Sequence, residues 1–243
     1  MEYSNHLEFE VTGAYGLFSD PIMRVGGEKC SYQIPTYEAL KGIISSVYWK
    51  PTIVWYVDRV RVMNRIRTEV KGIRPIKYNV AKSNDLAYYT YIKDCRYQVR
   101  VHFEWNLNRP ELENDRNEHK HYQIAKRMIE KGGRRDVFLG TRECQGYVEP
   151  CVMGSGEGAY DTLEELSFGL MYHGITYADE AYSEETKDRM TASFWFPTMK
   201  NGYIDFPRPE ECTMLKDVGK IKAKRFSEAD GNFMGLKEFG EVN

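Results

Sequence analysis

Cysteine is scarce in this chain, and its spacing carries no motif. Cys30, Cys95, Cys144, Cys151 and Cys212 are the five present. No two form a CxxC pair and no Cys/His set has zinc-finger spacing, which excludes the common structural zinc sites. An odd number at scattered positions does not suit a disulfide framework, so reduced thiols in a cytoplasm are the expectation. Long apolar runs are also missing. None approaches the roughly 20 residues that a membrane-spanning helix needs, so no membrane partner is expected. The start, Met1-Glu2-Tyr3-Ser4-Asn5, has neither a basic nor an apolar stretch and does not read as a signal peptide. Internal repeats and low-complexity tracts are absent.

What is present is globular. The chain has 243 residues, 42% hydrophobic and 29% charged, enough for one large domain or two small ones. Aromatics reach 14%, with 18 Tyr. Such rings suit a stacking surface or an ordinary β-sheet core. Net charge is −2, but it is unevenly spread. Residues 50–142 hold 21 Lys+Arg against 11 Asp+Glu, a net +10, and the remainder a net −12. Residues 157–190 carry nine acids against Lys187 and Arg189. A chain polarised this way can turn a basic face to a polyanion while staying near neutral overall.

Periodicity predicts an α+β fold. Leu7, Phe9 and Val11 alternate with Glu8 and Glu10 as a first strand. Residues 19–35 read as a long loop. Thr36 is an N-cap for a helix over about 37–49 that is stopped by Pro51, with Leu40, Ile43, Ile44 and Val47 on one face. Residues 52–63 form a second strand whose later half alternates Arg59 and Arg61 with Val60 and Val62, giving a cationic face. Residues 64–87 suggest an extended basic loop or hairpin. Residues 96–106 are the clearest strand, with Tyr97, Val99, Val101, Phe103 and Trp105 on one side. A helix follows near 116–131, where Asp115 and Glu118 sit at capping-box spacing. Residues 136–151 add a strand or two. The order to this point is βαββαβ, the ferredoxin-like, RRM-type arrangement. Domain limits of 1–150 and 151–243 follow. The second unit is β-rich and antiparallel, with strands near 168–177, 191–199 and 202–206 and a hairpin at Lys200-Asn201-Gly202. Beyond Pro209 the pattern fades into a charged tail.

The chemistry concentrates in Asp115-Arg116-Asn117-Glu118-His119-Lys120-His121-Tyr122 and the Gly132-Gly133-Arg134-Arg135 that closes the same helix. An imidazole at His121 exchanges protons near neutrality, and Lys120 beside it can stabilise a charged phosphorane. The alternative is a histidine packed at a helix start beside a solvated lysine. Tyr48, in Tyr48-Trp49-Lys50-Pro51, is either a core aromatic with its hydroxyl at the rim or a phenol that orients a leaving oxygen. His119 and His121 form an H-x-H pair, but no third metal ligand is evident and carboxylates are not arranged for two metals. No metal or cofactor is therefore expected. Gly154-Ser155-Gly156-Glu157-Gly158 lacks the Walker lysine and reads as a flexible linker. Arg59, Arg61, Arg65, Arg67, Lys71, Arg74 and Lys77 form the densest basic run. They face phosphates, or else guard a sheet edge.

Several blocks in one order resemble the CRISPR-associated RAMP proteins, specifically the type I-C branch of the fifth Cas family. They are Gly26-Gly27-Glu28-Lys29, Pro35 to Gly42, Tyr48 to Ile53, His119 to Tyr122, Gly132 to Gly146, and Gly202-Tyr203-Ile204 with Phe206 to Glu210. The resemblance implies a ferredoxin-like domain followed by a β-rich one. It also implies metal-independent cleavage of precursor CRISPR RNA at the 3′ base of the repeat hairpin, leaving 5′-hydroxyl and 2′,3′-cyclic phosphate ends. The catalytic residues it implies are Tyr48, Lys120 and His121. RNA contacts are expected from Lys50, Arg59, Arg61, Arg65, Arg67, Lys71, Arg74, Arg134, Arg135 and Arg142. The implied partners are the repeat RNA and the other subunits of the type I-C interference complex, with DNA as a non-specific polyanion. A non-catalytic RNA-capping subunit is the alternative.

Overall fold

The computed structural model describes residues 4–21, 23–77 and 84–223. Part of the 64–87 stretch and the last part of the charged tail fall outside these. The chain runs β1 (Leu7–Gly16), β2 (Lys29–Cys30), α1 (Tyr37–Val47), β3 (Ile53–Val62), β4 (Thr68–Ile73), β5 (Ala87–Trp105), α2 (Glu118–Glu130), β6 (Val137–Phe138) and β7 (Gln145–Pro150). It continues through β8 (Leu166–Ser167), β9 (Met171–Thr176), β10 (Arg189–Trp195), β11 (Thr198–Met199), β12 (Tyr203–Asp205) and β13 (Met214–Lys220). The architecture is mixed α/β, with mostly antiparallel sheets and few helices.

β5 is the spine of the main sheet. Strands β12-β3-β5-β1-β7-β6 lie side by side, and β2 and β4 also pair with β5. The sequence places this strand at 96–106, but it begins at Ala87. Asp94 takes a positive φ of 52°, and the polar Lys93-Asp94 pair interrupts the alternation that would have revealed its first half. That first half pairs with β4, which turns the basic 64–87 stretch into a hairpin arm.

β3 switches phase partway along. Ile53, Trp55 and Val57 are buried, and then Val60 and Val62. Opposite β5, Val57 pairs with Val101 and Arg59 with Arg100, so Asp58 is an extra residue in a β-bulge. The bulge turns Arg59 and Arg61 to the face away from the helices. The expected cationic face is neutralised there. Arg59 forms a bidentate pair with Asp205 on β12. Arg61 is only 3% exposed. It donates to the carbonyls of Ser155 (3.1 Å) and Gly156 (3.0 Å), to Gln98, and to both carboxylate oxygens of Asp161 at 2.8 Å. This corrects two expectations. Arg61 is not presented to phosphates, and the Gly154–Gly158 stretch is a cover pinned by a buried guanidinium rather than a free linker.

α1 forms as its sequence suggests. Thr36 accepts from the Ala39 N–H at 3.2 Å, and Leu40, Ile43, Ile44 and Val47 are buried. It ends at Val47, before the expected limit, because Tyr48 takes extended geometry (φ −154°). α2 also starts late. Its N-cap is Asn117, whose side chain accepts from the Lys120 N–H, and not Asp115. Asp115 closes a 3-10 turn, Pro110–Asp115, that precedes the helix. Tyr37 on α1 stacks on His173 of β9, ring centroids 4.2 Å apart. Burial pushes the His173 pKa down to about 3, so this imidazole is neutral. Lys200-Asn201-Gly202 does form the hairpin, with φ of 49° at Asn201 and 84° at Gly202 as a type I′ turn needs. The expected tail beyond Pro209 instead contains β13, paired with β10. Its side chains are mostly exposed, so no burial pattern marks it in the sequence.

Removing the Arg61 side chain takes the guanidinium donor from the Gly156 carbonyl, and leaves the Ser155 carbonyl with Gln98 Nε2 and the Asp161 carboxylate with the Gly158 N–H. Arg61→Ala should lower unfolding free energy by about 3 kcal/mol in urea denaturation. A change under about 0.5 kcal/mol, the usual range for a surface site, would contradict the buried role.

Candidate active site

The site forms where the end of α1 meets the start of α2. Three backbone carbonyls at the end of α1 are satisfied from outside the helix. Arg134 N–H donates to Val47 and Arg135 N–H to Ser46, each at 3.2 Å, and the Trp55 indole donates to Tyr48 at 2.8 Å. The returning segment must pass close by. Gly133 has φ of 109°, and a Cβ there would lie 3.1 Å from the Arg135 carbonyl and 3.6 Å from Val47. Glycine is therefore required at this approach. The backbone contacts fix Tyr48 and bring Arg134 beside it.

Tyr48 Oη lies 2.8 Å from His121 Nδ1. His121 Nε2 lies 2.8 Å from the Asp115 backbone oxygen and 3.4 Å from its carboxylate. A carbonyl only accepts, so Nε2 carries the proton. In the neutral imidazole Nδ1 then presents its lone pair, and the Tyr48 hydroxyl donates to it. The imidazole is 0% exposed and packs edge-on against Phe103 and Trp105 of β5. Tyr48 is 3% exposed. Lys120 is exposed and pairs with the Asp115 carboxylate, which also accepts from Thr52 Oγ1 at 2.7 Å. These contacts, the Lys120 ammonium first, hold the Asp115 carboxyl down at about 2. Burial and then the Asp115 charge push the Tyr48 phenol above its ordinary range, while Arg134 pulls it down. The phenol therefore stays protonated near neutrality.

The structure brings together Tyr48, Lys120, His121 and Arg134, with exposed Lys50 two residues beyond Tyr48. His119 is exposed while His121 is fully buried, so the H-x-H residues face apart. Arg65, Arg67, Lys71 and Arg74 lie instead on or beside the β4–β5 arm. Eleven residue steps along β5 separate Ile92, opposite β4, from Phe103 at the site, roughly 35 Å of strand. Arg67 pairs with Asp94, and Lys71 sits 3.3 Å over the Tyr15 ring. Lys50, Arg65, Arg74, Arg134, Arg135 and Arg142 make no ion pair among the described residues. Sequence reasoning missed Thr52 and Trp55, and read Asp115 as a cap. Only the fold shows that Asp115 offers both its carbonyl and its carboxylate to one cluster.

The assembly is a mixed α/β scaffold carrying a buried tyrosine–histidine pair beside surface cations. A family model described as CRISPR-associated protein (Cas_Cas5) matches residues 6–207, and the chain belongs to that family. It is 25% identical over 230 residues to the CRISPR pre-crRNA endoribonuclease Cas5d of Mannheimia succiniciproducens, covering 84% of this chain and 96% of that one. It is 29% identical over 154 residues to the protein of the same name from Thermus thermophilus, covering 59% of this chain and 63% of that one. A crystal structure of a CRISPR-associated protein superposes with a TM-score of 0.72 at 34% identity, covering 87% and 96% of the two chains. A functionally uncharacterized protein from Streptococcus mutans superposes with a TM-score of 0.71, also at 34% identity, with the same coverage.

Lys120→Ala should move the Asp115 carboxyl up toward the ordinary value near 3.9, read by titration of its carboxyl carbon NMR shift. The depressed pKa means that the stability Asp115 contributes is present above its unfolded value and is lost as pH falls through about 2. The variant should lose less stability across that interval. An unchanged Asp115 titration would show that Lys120 is not its main partner.

Proposed function

We propose that this protein is a metal-independent endoribonuclease. It cleaves precursor CRISPR RNA at the 3′ base of the repeat hairpin and stays on the 5′ handle as a subunit of the type I-C interference complex. The observation that carries the reading is the hydrogen-bonded chain from Tyr48 Oη through His121 to the Asp115 carbonyl, with Lys120 at its edge. Membership of the family and the names of its two relatives support the same reading.

In this mechanism the 2′-hydroxyl attacks its own phosphate and passes its proton to Tyr48 Oη as the Tyr48 proton moves to His121 Nδ1. The P–O5′ bond then breaks, and the proton returns from His121 through Tyr48 to the leaving 5′-oxygen, giving the 2′,3′-cyclic phosphate and the 5′-hydroxyl. The intervening imidazolium donates to Tyr48 and to the Asp115 carbonyl, with the Asp115 carboxylate nearby. Lys120 and Arg134 stabilise charge on the phosphorane. His121 acts through Tyr48, because both of its ring nitrogens are occupied. With Tyr48 only 3% exposed, RNA must displace local cover to reach the hydroxyl.

The finer architecture belongs to this reading. We take residues 1–150 as a ferredoxin-like domain: β1, β3, β5 and β7 are the strands of a βαββαβ unit and lie in the order β3-β5-β1-β7. Residues 151–243 form the β-rich second domain, although β12 adds to the first sheet. RNA contacts fall to Lys50, Arg134 and Arg135 near the site and to Arg65, Arg67, Lys71 and Arg74 on the arm, with Arg59 and Arg142 as further contacts. A cytoplasmic location fits the five free cysteines.

Replacing the ribose 5′ of the scissile phosphate by deoxyribose should abolish cleavage while binding persists, and EDTA should leave cleavage of the all-ribose RNA intact. Cleavage of the deoxy substrate, or loss of activity in EDTA, rules the mechanism out. In single-turnover assays His121→Ala and Tyr48→Phe should each slow cleavage by about 10²- to 10⁴-fold with little change in binding, and His119→Ala should behave as wild type. If RNA binds tightly but neither variant nor wild type cleaves, the non-catalytic RNA-capping role is the correct one.

A further inference from the structure

A cavity of about 740 Å³ opens beside the Tyr48 cluster. Two segments of that cluster build it. Trp49 follows Tyr48 directly and is 46% exposed. Glu111 and Leu112 belong to the 3-10 turn that ends in Asp115. Tyr177, 43% exposed, lines the cavity after β9, and Asp179 lies two residues on. An indole this open to water is an unusual burden so close to a buried site, and two such rings line one cavity.

We infer that this cavity is a nucleobase subsite, which holds one unpaired base of the RNA next to the cleaved bond, stacked on Trp49. The inference rests on the endoribonuclease reading above and extends it to substrate positioning. The volume lies in the range of small-ligand sites. Single-stranded RNA is held chiefly by bases stacked on aromatic side chains. The polar lining says which end of the nucleotide enters. Glu111 and Asp179 are acceptors that repel a phosphate, but they take hydrogen bonds from the amino group of a base. Arg109 lies between them as a loose ion-pair partner, 3.7 Å from Glu111 and 3.8 Å from Asp179. The cations suited to the backbone are Lys222, in the lining, and Lys50, beside Trp49 and exposed. A base anchored there would hold the neighbouring phosphodiester beside Tyr48 and Lys120, as proximity catalysis requires.

The test uses the full-length protein and repeat RNA made uncleavable by deoxyribose 5′ of the scissile phosphate. The fluorescent base 2-aminopurine, which carries an amino group, is placed singly at each position flanking that bond. At one position, binding to wild type should quench emission, and Trp49→Leu should restore it. An abasic residue at that position should weaken wild-type binding by about tenfold or more and affect Trp49→Leu little. Tyr177→Leu, from a separate segment of the lining, should reduce the same quench without altering α1. If the RNA binds but no position distinguishes wild type from either variant, the subsite is wrong and the endoribonuclease reading stands. If wild type does not bind the RNA, that reading falls and the subsite with it.

Discussion

The last carbonyls of α1 have to find donors, and the way they find them organises the rest of the site. A helix that ends in the protein interior cannot leave these groups to water. Here a backbone loop from the far end of α2 supplies two N–H groups, and an indole from β3 supplies a third donor. Tyr48 is thereby held at the junction of helix, sheet and loop. Its hydroxyl points at α2, Trp49 is left in the open, and Arg134 arrives with the loop that caps the helix. One local requirement for hydrogen-bond satisfaction sets three side chains of the candidate site at once.

The histidine shows how burial and reactivity coexist. An imidazole enclosed by Phe103 and Trp105 is tolerable only if both nitrogens are satisfied. The Asp115 carbonyl takes one, which leaves a single tautomer and a single direction for the Tyr48 proton. A solvent-facing histidine would have neither constraint. The surface lysine beside it serves differently, by keeping the Asp115 carboxylate ionised close to the ring.

Much of the scaffold was legible because its signals are local. The alternation in β1 and β5, the Thr36 cap, the stripe on α1 and the Asn201-Gly202 turn all act over a few residues. Lys120 and His121 stood out as neighbouring candidates in the sequence, but Tyr48 joined them only through the resemblance to a family, since it lies 72 and 73 residues away and meets them only after folding. What was not legible depends on partners far along the chain. Arg61 reads as a surface cation until Asp161 and the Ser155 carbonyl close over it. β13 carries no burial pattern of its own, and its strand character comes from β10. Asp115 looks like a cap because sequence spacing cannot show that Asn117 reaches the orphan N–H first.

The bulge at Asp58 lets β3 absorb one surplus residue without moving its core face. Its side chain sits outside the core and bonds His102, so another residue there would still keep the count. Deleting the position would instead leave Arg59 opposite Arg100 and Val60 opposite Val99 in an unbroken ladder. Val60 and Val62 would keep facing the core, and what would go is the local twist of the bulge and the Asp58 contact with His102. The strand therefore carries two phases of alternation, and the extra residue between Val57 and Arg59 is what reconciles them on one core face.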